Sequence, residues 1–140
     1  MKLALYKGAG RLFDKAIRTW TQSPYSHCEL VTDDGLFLSS SPRDGGVRAK
    51  RQEVDSSKWD FIPLPYTDQS EIIKKFYKEC GKEYDWKGII GTQIFHLGIQ
   101  SDTKWFCSEI CAYLLGYDNP SQYSPGDLAL RVLHDNNSIL

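Results

Sequence analysis

The stretch SPYSHCELVTDDG, residues 23–35, decides how the rest of the chain is read. Ser23-Pro24 ends whatever helix precedes it, and Thr32-Asp33-Asp34-Gly35 is turn chemistry. Between them, residues 26–31 read as a strand. Strand alternation then puts His27, Glu29 and Val31 on one face and Cys28 and Leu30 on the other. A histidine and a carboxylate sharing a strand face are either a solvated surface pair or a pair placed for chemistry. What lies opposite decides between them.

Working outward, residues 36–40 return as the hairpin partner, Gly45-Gly46 turns the chain again, and 47–51 continue the meander. A strand over 2–6 precedes the histidine strand. Another over 59–64 follows it, and Pro63 and Pro65 predict an edge position for that one. Leu12, Phe13, Ala16, Ile17 and Trp20 recur at helical spacing and predict a helix over 11–20. Asp68 and Glu71 predict a capped start for a helix over 69–80, with Ile72, Ile73, Phe76, Tyr77 and Cys80 inward and Gly81 as its stop. Asp85 opens a further helix through Ile89, Ile90, Ile94 and Phe95 that ends near Gly98, a third runs over 106–115, and Ser124-Pro125 starts a last one in YSPGDLALRVL. Mixed strands followed by helices predict an α+β fold, with one domain over residues 1–140.

The hydrophobic share of 41% and the aromatic share of 13% are those of a globular chain. A formal net charge of −1 argues against nucleic acid or an acidic membrane as a partner. The charges at Arg48, Lys50 and Arg51 read as the wet side of a strand. No segment has the length of a membrane span, so no stable membrane association is expected. The apolar run at the start, Leu3 to Tyr6, is too short for a signal peptide. The expectation is a cytoplasmic protein, host- or phage-encoded or delivered by a secretion device, with free thiols. Cys28, Cys80, Cys107 and Cys111 form no CxxC pair and no zinc-finger spacing with histidine, so no metal and no cofactor is expected.

The chemistry turns on TKWFCSEICAYLLG, residues 103–116. Polar residues precede Cys107 and an apolar helical pattern follows it, which puts Cys107 in a first helical turn. Free backbone N–H groups and the positive end of the helix dipole favour a thiolate there, and the thiolate is the nucleophile. Glu109, in the same turn, is given capping or packing work. Cys111, Cys80 and Cys28 read as buried core thiols. His27 is the base if it meets Cys107 across a strand–helix packing. His96 and His134 lie within helical patterns and are weaker candidates. Two residues compete to orient His27: Glu29 on its own strand, which is favoured, and Ser39 on the returning strand. Trp105 is either a cleft wall or a packing residue, and Tyr6 reads as core packing.

These pieces together resemble the circularly permuted branch of the NlpC-type, papain-like cysteine hydrolases. The matching segments are LALYKGAGRLFDKAIRTWTQSPYSH, SHCELVTDDG, GGVR, KEYDWKGIIG, WFCSEICAYLLG and YSPGDLA, so the likeness runs through most of the chain. In that branch the histidine strand comes before the cysteine helix, as here. The resemblance implies a small antiparallel sheet packed against helices, with Cys107 as nucleophile and His27 as base. Members often carry an acidic residue on the strand after the histidine strand, where this chain has FLSSS, so the third group stays open between Glu29 and Ser39. The likeness also makes Tyr6 a candidate for the second oxyanion donor. The implied activity is hydrolysis of a peptide, amide or ester through an acyl-enzyme. A catalytically idle binding module of the same fold and a lipid acyltransferase are the competing readings.

Overall fold

In the computed structural model, which describes residues 1–9, 12–84 and 104–138, the alternating stretches of the N-terminal half form one antiparallel sheet. Its strands are β1 (Lys2–Tyr6), β2 (His27–Val31), β3 (Phe37–Ser41), β4 (Gly46–Lys50) and β5 (Trp59–Pro63), in the spatial order β4-β3-β2-β1-β5. Helix α1 (Leu12–Thr21) joins β1 to β2. The strand that ends at Pro63 does stand at an edge, and Pro65 lies just beyond it. After the sheet come α2 (Gln69–Glu79), a short parallel pair of β6 (Glu83–Tyr84) with β7 (Lys104–Trp105), α3 (Cys107–Leu114) and α4 (Pro125–Ser138). The architecture is therefore α+β. The expected helix from Asp85 through Phe95 lies outside the described residues, as does His96.

The pairing β1–β2 sets Leu3 against Leu30, Leu5 against Cys28 and Tyr6 against His27. Leu3, Leu5, Cys28, Leu30 and Leu38 line one side of the sheet, and Ile110 and Leu114 of α3, Leu128 and Val132 of α4, and Ile72 and Phe76 of α2 close over that side. Ala4, Val31 and Phe37 make a smaller cluster with Trp59 on the other. His27 and Glu29 belong to this second side, as strand period requires.

Helices α2 and α4 begin on their predicted signals. Asp68 accepts hydrogen bonds from the Ser70 and Glu71 N–H groups. Ser124 and Asp127 cap each other: the Asp127 N–H donates to Ser124 Oγ, and the Ser124 N–H donates to Asp127 Oδ2, each at 3.1 Å. The inward face of α2 differs from the expected one. Ile72 and Phe76 are buried, but Tyr77 is 59% exposed and Cys80 is exposed, while Glu79 is buried in their place. Trp105 Nε1 donates to Glu79 Oε2 at 2.9 Å and Lys82 pairs with the same oxygen. This satisfied carboxylate turns the helix so that Glu79, not Cys80, faces in. Gly46, at φ 135°, lies so close to the chain before β6 that a Cβ there would sit 2.0 Å from the Lys82 carbonyl oxygen. No helix among the described residues is long and apolar enough to cross a membrane.

One irregularity positions everything that follows. β3 and β4 pair over five positions, from Phe37↔Lys50 to Ser41↔Gly46, but β2 and β3 pair only at Leu30↔Leu38 and Val31↔Phe37. Beyond those two pairs the strands part, and the N-terminal tip of α3 fills the fork. Ser40 Oγ of β3 donates to the Trp105 carbonyl at 2.6 Å, and Cys111 of α3 reaches the Cys28 carbonyl of β2.

Candidate active site

Backbone polar groups in a buried strand must be paired. At Cys28 the parted ladder does not do it. The Cys28 carbonyl accepts from Ser39 Oγ at 2.7 Å and from Cys111 Sγ at 3.8 Å, and the Cys28 N–H donates to the sulfur of Cys107. The fork is thus closed by side chains, and the group that receives the strand's N–H is the thiol at the helix tip. Cys107 is the first residue of α3, with extended Phe106 before it and no side chain capping that end. The first N–H groups of a helix have no partner within it, and they suit an anion.

Cys107 enters from the side of the sheet that faces the helices, whereas His27 belongs to the opposite side. They meet where β2 and β3 are no longer paired. The His27 ring stands close enough to the Cys107 sulfur for charge and hydrogen-bonding interaction to couple the two. Its Nε2 lies 3.0 Å from Glu29 Oε1, so Nδ1 is the nitrogen left for the sulfur. Glu29 is 2% exposed and His27 20%. The carboxylate is gripped from its far side by Arg48, whose Nη1 donates to Oε2 at 2.7 Å and Nη2 to Oε1 at 3.0 Å. Arg48 Nε donates to Asp44 Oδ2 at 2.6 Å, and Lys50 Nζ donates to the same oxygen at 2.8 Å.

No protein-family model matches this chain, and no curated protein matches it.

The electrostatics follow from this packing. The Cys107 thiol is held well below its ordinary range: the hydrogen bond from the Cys28 thiol leads, burial opposes, and the charge and hydrogen bond of His27 and the Cys28 N–H reinforce it. Burial alone would push His27 down. The negative charge and hydrogen bond of Cys107, with those of Glu29, overcome it and carry His27 up to about 10. Burial would likewise raise Glu29, but His27 and Arg48 bring it to about 2. Burial, first of all, pushes the Cys28 thiol up, so it stays protonated and able to donate. All three directions favour the charged forms: thiolate at Cys107, imidazolium at His27 and carboxylate at Glu29.

Of the residues singled out in the sequence, Cys107, His27 and Glu29 come together. Ser39 does not join them: its hydroxyl is fully buried and spent on the Cys28 carbonyl. His134 is 76% exposed on α4. Trp105 is buried, its indole committed to Glu79, so it packs rather than lining an open wall. Tyr6 stands opposite His27 in register, with its ring 5.1 Å from that of Trp59. Glu109 is buried within α3. Two participants were misjudged. Arg48 is no wet-face charge, since its side chain is only 14% exposed and two-pronged on Glu29. Cys28 is more than core filling, since both its thiol and its N–H serve Cys107. Arg48 could have been found by counting through the two turns: Ser39 pairs with Arg48, and the register Val31↔Phe37 carried back along β2 brings Ser39 beside Glu29.

Among the described residues, no group of three or more His, Cys, Asp or Glu side chains is arranged to hold a metal ion. What the arrangement offers is a nucleophile, an acid–base group and a fixed countercharge.

Proposed function

We propose that this chain is a cysteine hydrolase of the circularly permuted NlpC type, with a papain-like Cys–His site, acting on an amide or ester carbonyl. The observation that carries the reading is the contact of the Cys107 sulfur, at a helix tip, with a His27 ring whose other nitrogen is fixed by buried Glu29. A thiol merely filling a core would have no reason to sit acidified among three hydrogen-bond donors.

The reaction runs as acyl transfer to water. The Cys107 thiolate adds to the carbonyl carbon, forming a C–S bond and moving the carbonyl electron pair onto oxygen. The Cys107 N–H, at the start of α3, is placed to receive that oxyanion. As the tetrahedral adduct collapses, the imidazolium of His27 gives its proton to the departing amine or alkoxide and leaves a thioester. Neutral His27 then takes a proton from water, the hydroxide adds to the thioester, and the acid departs as the thiolate re-forms. Glu29 stays ionised throughout and keeps the ring oriented.

The test has two parts. Iodoacetamide at neutral pH should label Cys107 well ahead of Cys28, Cys80 and Cys111, as read by peptide mass spectrometry. An activated ester such as p-nitrophenyl acetate should give a burst and an acetyl adduct on Cys107 that Cys107→Ala lacks. Equally slow labelling of all four thiols, or turnover that survives Cys107→Ala, would overturn the assignment.

A further inference from the structure

Glu29 holds a charge where water scarcely reaches it, at 2% exposure. A buried carboxylate without a countercharge gives up its ionisation or costs the fold several kcal/mol. His27 is one partner, but its charge comes and goes with pH and with the reaction. The only fixed positive charge bonded to Glu29 in the described structure is Arg48. The groups facing Glu29 are His27 from its own strand and Arg48 from β4. Asp44 and Lys50 act on it through Arg48, and Cys107 acts through His27.

All three guanidinium nitrogens are engaged. Nη1 and Nη2 take the two carboxylate oxygens and Nε takes Asp44. Glu29 Oε1 is shared between Arg48 Nη2 and His27 Nε2, each at 3.0 Å, so the plane in which Arg48 holds the carboxylate also sets where His27 is met. A planar fork does this, and a point charge on a flexible stem does not.

We propose that Arg48 is a positioning residue of this site. By clamping both oxygens of Glu29 it keeps that group an anion, fixes the His27 ring edge that Glu29 engages, and so sets the acid limit below which the Cys107–His27 ion pair is lost. The inference rests on Cys107 and His27 being the reacting pair.

The experiment is the pH profile of Cys107 alkylation by iodoacetamide, read at the Cys107 peptide. It compares the parent with Arg48→Met, Arg48→Lys, Glu29→Gln and the double variant Glu29→Gln/Arg48→Met. The acid limb of Arg48→Met should move up by about 1 to 3 pH units, the span over which a close countercharge acts. That of Arg48→Lys should fall between Arg48→Met and the parent. Adding Arg48→Met to Glu29→Gln should move the limb no further, because the effect passes through Glu29. The double variant buries no unpaired charge, so it and Arg48→Lys decide the matter even if Arg48→Met does not fold. Parent-like limbs in the Arg48 variants, or a further shift in the double variant, would overturn the inference. If Cys107 in the parent reacts no faster than the other thiols, the hydrolase reading itself has failed. If it reacts fast but its limb ignores Arg48, only the role of Arg48 has failed.

Discussion

Replacing Glu29 with glutamine keeps the shape of the side chain and removes its charge, which isolates what that charge does for the fold. The carboxyl falls from 4.5 to about 2 on folding, against the effect of burial and through the pull of His27 and Arg48. At about 1.36 kcal/mol per unit, that is about 3 kcal/mol in favour of the ionised form in the native chain. A group with a lower pKa in the folded state contributes stability that is complete above its unfolded value and lost as pH falls through the folded one. Glu29→Gln should thus be about 3 kcal/mol less stable than the parent at pH 7. The gap should close as the pH falls from about 5 toward 2, because the parent's own carboxyl is then neutralised. Urea denaturation followed by tryptophan fluorescence at pH 7, 5 and 3, with the slopes compared, measures it. A gap below about 1 kcal/mol at pH 7, or one unchanged at pH 3, would refute the reasoning, since a clamped buried anion has to show both.

Cys28→Ala removes the leading donor to the Cys107 sulfur, so the acid limb of Cys107 alkylation should move to higher pH, and the rate at a pH on that limb should fall by about tenfold for each unit the pKa rises. Cys28→Ser keeps a donor and should slow it less, and equal rates in all three proteins would count against a role for Cys28. Ser39→Ala should cost about 1 kcal/mol in urea through loss of the bond to the Cys28 carbonyl. It should leave the alkylation profile in place, and a shifted profile would return Ser39 to the candidate site. Gly46→Ala puts a methyl group 2.0 Å from the Lys82 carbonyl at a left-handed φ of 135°. It should destabilise the fold by about 2 kcal/mol or more, and a parent-like urea midpoint would deny the close approach.

The sheet was legible because alternation and turn residues are local signals: 26–31 reads as strand and TDDG as a turn whatever else the chain does. The pair His27 and Glu29 was legible for the same reason, as was Cys107 at the head of an apolar helical run. The face of α2 was not. Helical spacing admits Tyr77 and Cys80 or Glu79, hydrophobicity favours the former, and the indole of Trp105 and the ammonium of Lys82 make the latter the better-satisfied choice. Nor was the choice between Glu29 and Ser39 legible, because it depends on where the β2–β3 ladder stops. A strand pattern announces that a strand exists and which side each residue takes. It does not announce that a helix tip from far downstream will hold two strands apart and let groups from opposite sides of the sheet touch.

That fork has a consequence for how the chain acquires its structure. During synthesis β2 and β3 emerge well before α3, and a hairpin forms in microseconds. Nothing in Cys28, Ser39 or Ser40 prevents the young hairpin from zipping past Leu30 and Leu38 into an ordinary full-length ladder. The arriving helix must then exchange those bonds for its own, across separations of 65 and 83 positions. An unzipping late in folding is the expected outcome, and the order of recovery measures it: refolding chains should regain their strand signal first and the native environment of Cys107 last.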